Sequence, residues 1–134
     1  MKKLIYLFLF VSFTSFSQDY NDSGIEKAKN GDYYGAIADF TKAIEINPND
    51  AYAYFNRGSA KDDLKDYYGA IADYTKAIEI NPNYANAYYN RAIVKDDLKD
   101  YYGAIADYTK AIEINPNYAN AYYNRGLAKY DLKD

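Results

Sequence analysis

A block of 34 residues returns along this chain in near-identical copies: Asp32-Tyr-Tyr-Gly-Ala-Ile-Ala-Asp recurs at Asp66 and Asp100, and Ile46-Asn-Pro-Asn recurs at Ile80 and Ile114. A fixed period in this range marks an array of one supersecondary unit. No single copy can bury its own apolar face, so neighbours must stack to make a continuous core. Within a copy the pattern is helical. From Tyr67 the apolar side chains fall at Tyr67, Ala70, Ile71, Tyr74, Ala77 and Ile78, the i, i+3, i+4, i+7 spacing of an amphipathic helix. Asp66 is placed to cap its start and Pro82 to stop it, and Asn81 before that proline is pushed out of helical geometry, so the helix should end near Ile80. Another helix is expected over 51–64, with Tyr54, Gly58 and Leu64 inward and Lys65-Asp66 as the turn. Period-two alternation is missing over any useful length, which disfavours β-solenoids and propellers.

The units run 17–50, 51–84 and 85–118, with half a unit at 119–134. The first is the most divergent, and its opening helix is expected to be shortened to about Tyr20–Lys29. The last half unit, through Tyr122, Gly126 and Leu132, should cover the final second-helix face, with Lys129, Asp131, Lys133 and Asp134 on its outer side.

Residues 1–17 follow another logic: Lys2 and Lys3, an apolar run from Leu4 to Phe13, then Thr14, Ser15, Phe16 and Ser17. This is the layout of a secretory signal peptide, with Ser15 and Ser17 in the small-residue slots before a cut and Gln18 as the new N-terminus. The apolar run is about half of the roughly 20 residues a spanning helix needs. Export to the periplasm or outside the cell is the expected destination, with no stable membrane insertion after cleavage. The chain has no cysteine, so packing rather than disulfides must hold it together. Once Lys2 and Lys3 leave, 14 basic side chains face 19 acidic ones, a formal balance of −5. That sign argues against nucleic acid or an anionic membrane as partner. The nineteen tyrosines recur with the period, which marks most of them as packing residues with a wet hydroxyl.

The repeat resembles the tetratricopeptide repeat family, whose 34-residue signature runs W-x2-L-G-x2-Y, then A-x3-F, then a late proline. The second unit carries Tyr54, Gly58, Ala70, Tyr74, Ala77 and Pro82 in those slots, and the third carries Tyr88, Ala92, Ala104, Tyr108, Ala111 and Pro116. In the first unit Tyr20, Gly24, Ala36, Phe40, Ala43 and Pro48 fit. The resemblance implies an all-α fold, a right-handed superhelical solenoid of antiparallel helix-turn-helix units. Two departures are systematic: arginine stands in the leucine slot (Arg57, Arg91, Arg125) and lysine in the second aromatic slot (Lys61, Lys95, Lys129). A half-buried arginine needs a partner, so Arg57 is expected to pair with Asp73 and Arg91 with Asp107.

Membership would imply a concave groove lined by first helices that holds a segment of another protein. Carried over slot by slot, the groove comprises Tyr52, Phe55, Ser59 and Asp62, then Asn86, Tyr89, Ile93 and Asp96, then Asn120, Tyr123, Leu127 and Tyr130, with Asp63, Asp97 and Asp131 beside them. The second and third units differ only at Tyr52/Asn86, Phe55/Tyr89, Gly58/Ala92, Ser59/Ile93 and Ala60/Val94, and three of those five slots face the groove. Copies of one unit that drift where a ligand lies are what a binding surface predicts. Aromatic anchors beside an acidic row favour a peptide segment with apolar and basic anchors. One branch of the family clamps a C-terminal carboxylate. Asn56, Asn90 and Asn124 match its asparagine, but Phe55, Asn86 and Asn120 fill its cationic slots, so that clamp is not expected.

Without histidine or cysteine the chain cannot build a His-dependent triad, a thiol nucleophile or an ordinary zinc site. Asp62-Asp63 and Asp96-Asp97 are adjacent on helices and point about 100° apart, so neither pair converges on one substrate. No cofactor, metal or catalytic activity is expected. The leading reading is an exported, non-catalytic interaction module or adaptor that binds a partner's peptide segment in the groove. The alternative is a structural, self-associating array in which the terminal half unit stacks end to end on another copy.

Overall fold

The computed structural model describes the backbone of residues 2–133 and the side chains of residues 15–133. Among the described residues there are seven α-helices and no strand: α1 (Lys2–Lys29), α2 (Tyr33–Ile46), α3 (Ala51–Asp63), α4 (Tyr67–Ile80), α5 (Ala85–Asp97), α6 (Tyr101–Ile114) and α7 (Ala119–Asp131). Each boundary has a local cause. Asp32, Asp66 and Asp100 accept hydrogen bonds from the amides of Gly35, Gly69 and Gly103 at 2.9, 3.1 and 3.0 Å, capping α2, α4 and α6. These helices end at Ile46, Ile80 and Ile114, two residues ahead of each proline, as the spacing predicts. The first helices close in a Schellman turn: the Asp66 amide reaches back to the Lys61 carbonyl at 2.9 Å, and Asp32 and Asp100 do the same. That turn demands one left-handed residue, which is Gly31 (φ 81°) in the first unit but Lys65 (φ 65°) and Lys99 (φ 62°) in the others.

The opening helix of the first unit is not shortened to Tyr20–Lys29. α1 runs on through Ser17, which is buried and whose hydroxyl donates to the Ala43 carbonyl at 3.2 Å. Gln18 and Asp19 look like a polar break in the sequence, yet both lie on the exposed side of a continuing helix. The expected leader, residues 1–17, lies largely outside the residues whose side chains are described. Among the described residues no helix is long and apolar enough to cross a membrane.

Each second helix is wedged between its own first helix and the next. Ala36, Phe40 and Ala43, then Ala70, Tyr74 and Ala77, then Ala104, Tyr108 and Ala111 are all 1 % exposed or less. The small residues let the helices approach, and each buried ring contributes about 1.5–3 kcal/mol of apolar burial. Close approach explains two glycines: a Cβ on Gly24 would meet the Phe40 ring at 2.7 Å, and one on Gly58 the Tyr74 ring at 3.0 Å. The first helices also touch one another in order, α1 to α3 to α5 to α7, while among the described residues the second helices touch only first helices. The first helices therefore form the tighter, inner layer of a helical solenoid, and the second helices the outer one.

Candidate functional site

The two departures from the repeat signature converge on one buried carboxylate per unit. Asp39, Asp73 and Asp107 are only 6, 4 and 5 % exposed on the inward face of the second helices. Arg57 grips Asp73 with Nε at 2.9 Å and Nη2 at 2.7 Å, and Lys61, one turn further along α3, adds its Nζ at 2.7 Å. Arg91 and Lys95 repeat this on Asp107. The expected Arg57–Asp73 and Arg91–Asp107 pairs are present, and the lysines were the part not foreseen. Their position four residues after each arginine, on the same helix face, was the available signal. In the first unit Ser23 and Lys27 share Asp39, both at 2.6 Å. Burial alone would push the Asp39 carboxyl up, but these two bonds and the charges of Lys27 and Lys42 together outweigh it and hold it below the usual carboxylate range.

The same arginines stitch neighbouring units. Nη1 of Arg57, Arg91 and Arg125 donates to Thr41, Thr75 and Thr109 of the preceding second helix at 3.1, 2.9 and 3.2 Å. Each guanidinium also lies 5.5–5.6 Å over the ring of Tyr54, Tyr88 or Tyr122. These residues are structural cement between helices.

The groove residues chosen from sequence divide into two groups. Tyr52, Asn86, Asn120, Tyr123, Leu127 and Tyr130 are exposed, whereas Phe55, Ser59, Asp62, Tyr89, Ile93 and Asp96 are half-buried. Phe55 stacks 5.0 Å from Tyr84 and 5.7 Å from Tyr74, and Tyr89 stacks 4.7 Å from Tyr118 and 5.8 Å from Tyr108. The aromatic ladder is thus a set of stacked pairs, each within its own unit, rather than a row of free rings. Only its last rung, Tyr123, stands clear at 67 % exposure. Ser59 accepts from the Tyr74 hydroxyl at 3.2 Å, Asn86 accepts from Tyr118 at 3.1 Å, and Asn124 donates to the Tyr89 hydroxyl at 3.0 Å. Burial pushes Tyr74 up to about 12, so it stays a neutral donor.

Tyr84 and Tyr118 were missed as partners of the ladder. At the matching positions of the first unit the pair is polar: Asn21 donates to Asp50 at 2.8 Å. The correlated exchange of Asn21/Asp50 for Phe55/Tyr84 and Tyr89/Tyr118 was visible in the repeats themselves. Asp50 also caps α3, whereas Tyr84 and Tyr118 leave α5 and α7 with no side-chain cap.

Beside the pairs runs the acidic row at the C-terminal ends of the inner helices. Burial raises the Asp62 carboxyl, and Asp97 of the next unit and Asp63 push it the same way, against an opposing pull from Lys65. Burial also raises Asp96, with Asp131 and Asp97 adding to it. One Asp96 oxygen is buried without a hydrogen-bond partner in the protein. The row is continuous across three units and under-compensated, a surface whose charge a cationic group would relieve. Among the described residues no His/Cys/Asp/Glu group has the arrangement of a metal site.

Sequence profiles described as TPR repeat match residues 25–61 and 97–133, and those described as tetratricopeptide repeat match 51–84 and 73–106. No curated protein sequence matches the chain. Several solved structures share the fold. The first TPR of Spaghetti (RPAP3) bound to the HSP90 peptide SRMEEVD superposes with a TM-score of 0.88 at 26 % identity over 90 % of this chain and 96 % of that one. The Arabidopsis OM64 TPR domain gives 0.85 at 26 % identity, over 88 % of this chain and 98 % of that one. MamA gives 0.83 at 32 % identity, over 87 % of this chain and 68 % of that one.

Proposed function

Because the chain belongs to the tetratricopeptide repeat family, we propose that its inner surface captures a segment of another protein and that it works as a non-catalytic interaction module. The observation that carries the reading is the under-compensated carboxylate row of Asp62, Asp63, Asp96, Asp97 and Asp131 alongside stacked aromatic pairs. The segment that fits this chemistry has lysine or arginine to meet the row, and apolar or aromatic anchors to meet Tyr52, Tyr123 and Leu127. The similar RPAP3 domain is described with the acidic-ended peptide SRMEEVD. Here the slots that would have to be cationic hold Phe55, Asn86 and Asn120, so that peptide should be rejected.

A peptide library with paired basic and acidic members, read by fluorescence anisotropy against the folded chain, tests this. Basic-aromatic members should bind and lose about tenfold or more in the Asp62→Lys/Asp96→Lys variant, while SRMEEVD should stay unbound. Equal binding of acidic and basic members would reject the reading. The leader layout of residues 1–17 further supports export, with the module acting in the periplasm or outside the cell.

A further inference from the structure

We infer that the buried polar pair Asn21–Asp50 is a registry device: it marks the first unit as different from the near-interchangeable units behind it, so the array stacks in one order and does not trade first helices with a second copy. The need for such a mark follows from the repeats. Lys61–Tyr84 and Lys95–Tyr118 are identical. Their arginine and lysine grip one aspartate in the same way, and their rings stack alike, Phe55 on Tyr84 at 5.0 Å and Tyr89 on Tyr118 at 4.7 Å. A first helix of either unit therefore finds its partners on either second helix. Misassembly and exchange of elements between chains are the characteristic failures of repeat proteins.

The first unit breaks this equivalence. Asn21, 1 % exposed, stands where Phe55 and Tyr89 stand, and Asp50 where Tyr84 and Tyr118 stand. Asn21 Nδ2 donates to Asp50 Oδ2 at 2.8 Å, while Asp50 Oδ1 accepts from the Tyr52 and Ala53 amides at 3.0 and 3.2 Å. The pair thus ties α1 to the entry of α3. Seating α1 on α4 would put the Asn21 amide against the Tyr84 ring with no acceptor. Seating α3 or α5 on α2 would press the ring of Phe55 or Tyr89 onto the Asp50 carboxylate. Either mismatch buries a polar group without a partner.

The pair is a costly way to hold a joint. Asn21 Oδ1 is buried with no hydrogen-bond partner, and so is Asn56 Nδ2. Asn124, two units further on, gives the same amide group to the Tyr89 hydroxyl at 3.0 Å. A tyrosine pair of the kind the third unit already carries would relieve both atoms of the first. A buried polar pair kept in place of a better-satisfied aromatic one serves uniqueness of packing rather than stability.

Co-refolding tests this. Ordinary and heavy-isotope preparations of the full chain are unfolded together in urea, refolded by dilution and examined by native mass spectrometry. Exchanged first helices give mixed-mass dimers that persist on further dilution, whereas end-to-end stacks dissociate. The parent chain should give few persistent dimers. Asn21→Tyr/Asp50→Tyr should raise their share about tenfold or more, while its melting temperature holds or rises. Asp50→Asn, which keeps a hydrogen bond to Asn21 and the cap of α3, should behave as the parent does. A double-tyrosine variant that refolds as cleanly as the parent, or that melts lower or fails to fold, would overturn the inference. So would a parent chain or an Asp50→Asn variant that exchanges as freely as the double-tyrosine variant.

Discussion

Asp73 shows how one residue ties a unit together. It is almost fully buried and holds three hydrogen bonds from two cations, so its removal leaves Arg57 and Lys61 facing each other in a desolvated seam. Asp73→Ala should therefore cost about 3–5 kcal/mol, while Arg57→Leu, which leaves the Lys61 pair and restores the family's residue, should cost about 1.5–3 kcal/mol. Urea denaturation followed by far-UV circular dichroism measures both, and equal costs would mean that Lys61 contributes nothing. The acidic row works in the opposite sense. The carboxyls of Asp62 and Asp96 are raised above 3.8, so their ionisation weakens the folded state at neutral pH. Stability should rise as pH falls through their raised values and level off near the 3.8 of the unfolded chain. Asp39, held below 3.8, loses its stabilisation only below that window. Asp62→Asn/Asp96→Asn should melt higher at pH 7 and show a flatter rise on acidification. The paired arginines could be read from sequence because a charge on an apolar helix face demands a nearby opposite charge. The carboxyl shifts could not, since they depend on how deeply each helix end is covered.

At the level of the element, turns and helix contacts carry different constraints that look alike in sequence. Lys65 and Lys99 sit in left-handed geometry, where a side chain costs about 1–2 kcal/mol, and Gly31 does the same job in the first unit. Lys65→Gly and Lys99→Gly should each raise stability by about 0.5–1 kcal/mol, the remainder being offset by the greater freedom of glycine in the unfolded chain. The packing glycines diverge from one another. Gly24→Ala would push a Cβ to 2.7 Å from the buried Phe40 ring and should cost about 1–3 kcal/mol. Gly58→Ala meets the Tyr74 ring at 3.0 Å, but Ala92 against Tyr108 shows that the seam accommodates a methyl, so up to about 1 kcal/mol of helix propensity should be gained. Thermal melts of the four variants check the order. Helix ends were legible because Asp-x-x-Gly caps and Asn-Pro stops act locally. The start of the first unit's helix was not, because Ser17 stays helical through a tertiary bond to Ala43 across 26 residues.

For the whole molecule, a cut after Ser17 would remove that bond yet leave Asn21, Gly24 and the Asp39 cluster in place, so the chain from Gln18 should keep the seven-helix stack. N-terminal sequencing of the secreted or periplasmic fraction is expected to read Gln-Asp-Tyr-Asn, and recovery of Met1 from that fraction would remove the leader from the account. The sequence by itself determined the period, the helical phase of each segment and the residues that cap it. It also determined the pairing of arginine with aspartate, because these depend on spacing along one chain and on side-chain chemistry that every copy repeats. Only the tertiary structure decided which of two similar residues does which job. Phe55 and Tyr89 are clamped by two rings of their own units while Tyr123 is exposed, and Arg91 grips an aspartate while Arg125 reaches a threonine. The repeated residues are alike, but each one's neighbours come from the second helix of its own unit and from the adjoining unit, and burial, charge compensation and exposure are properties of the neighbours.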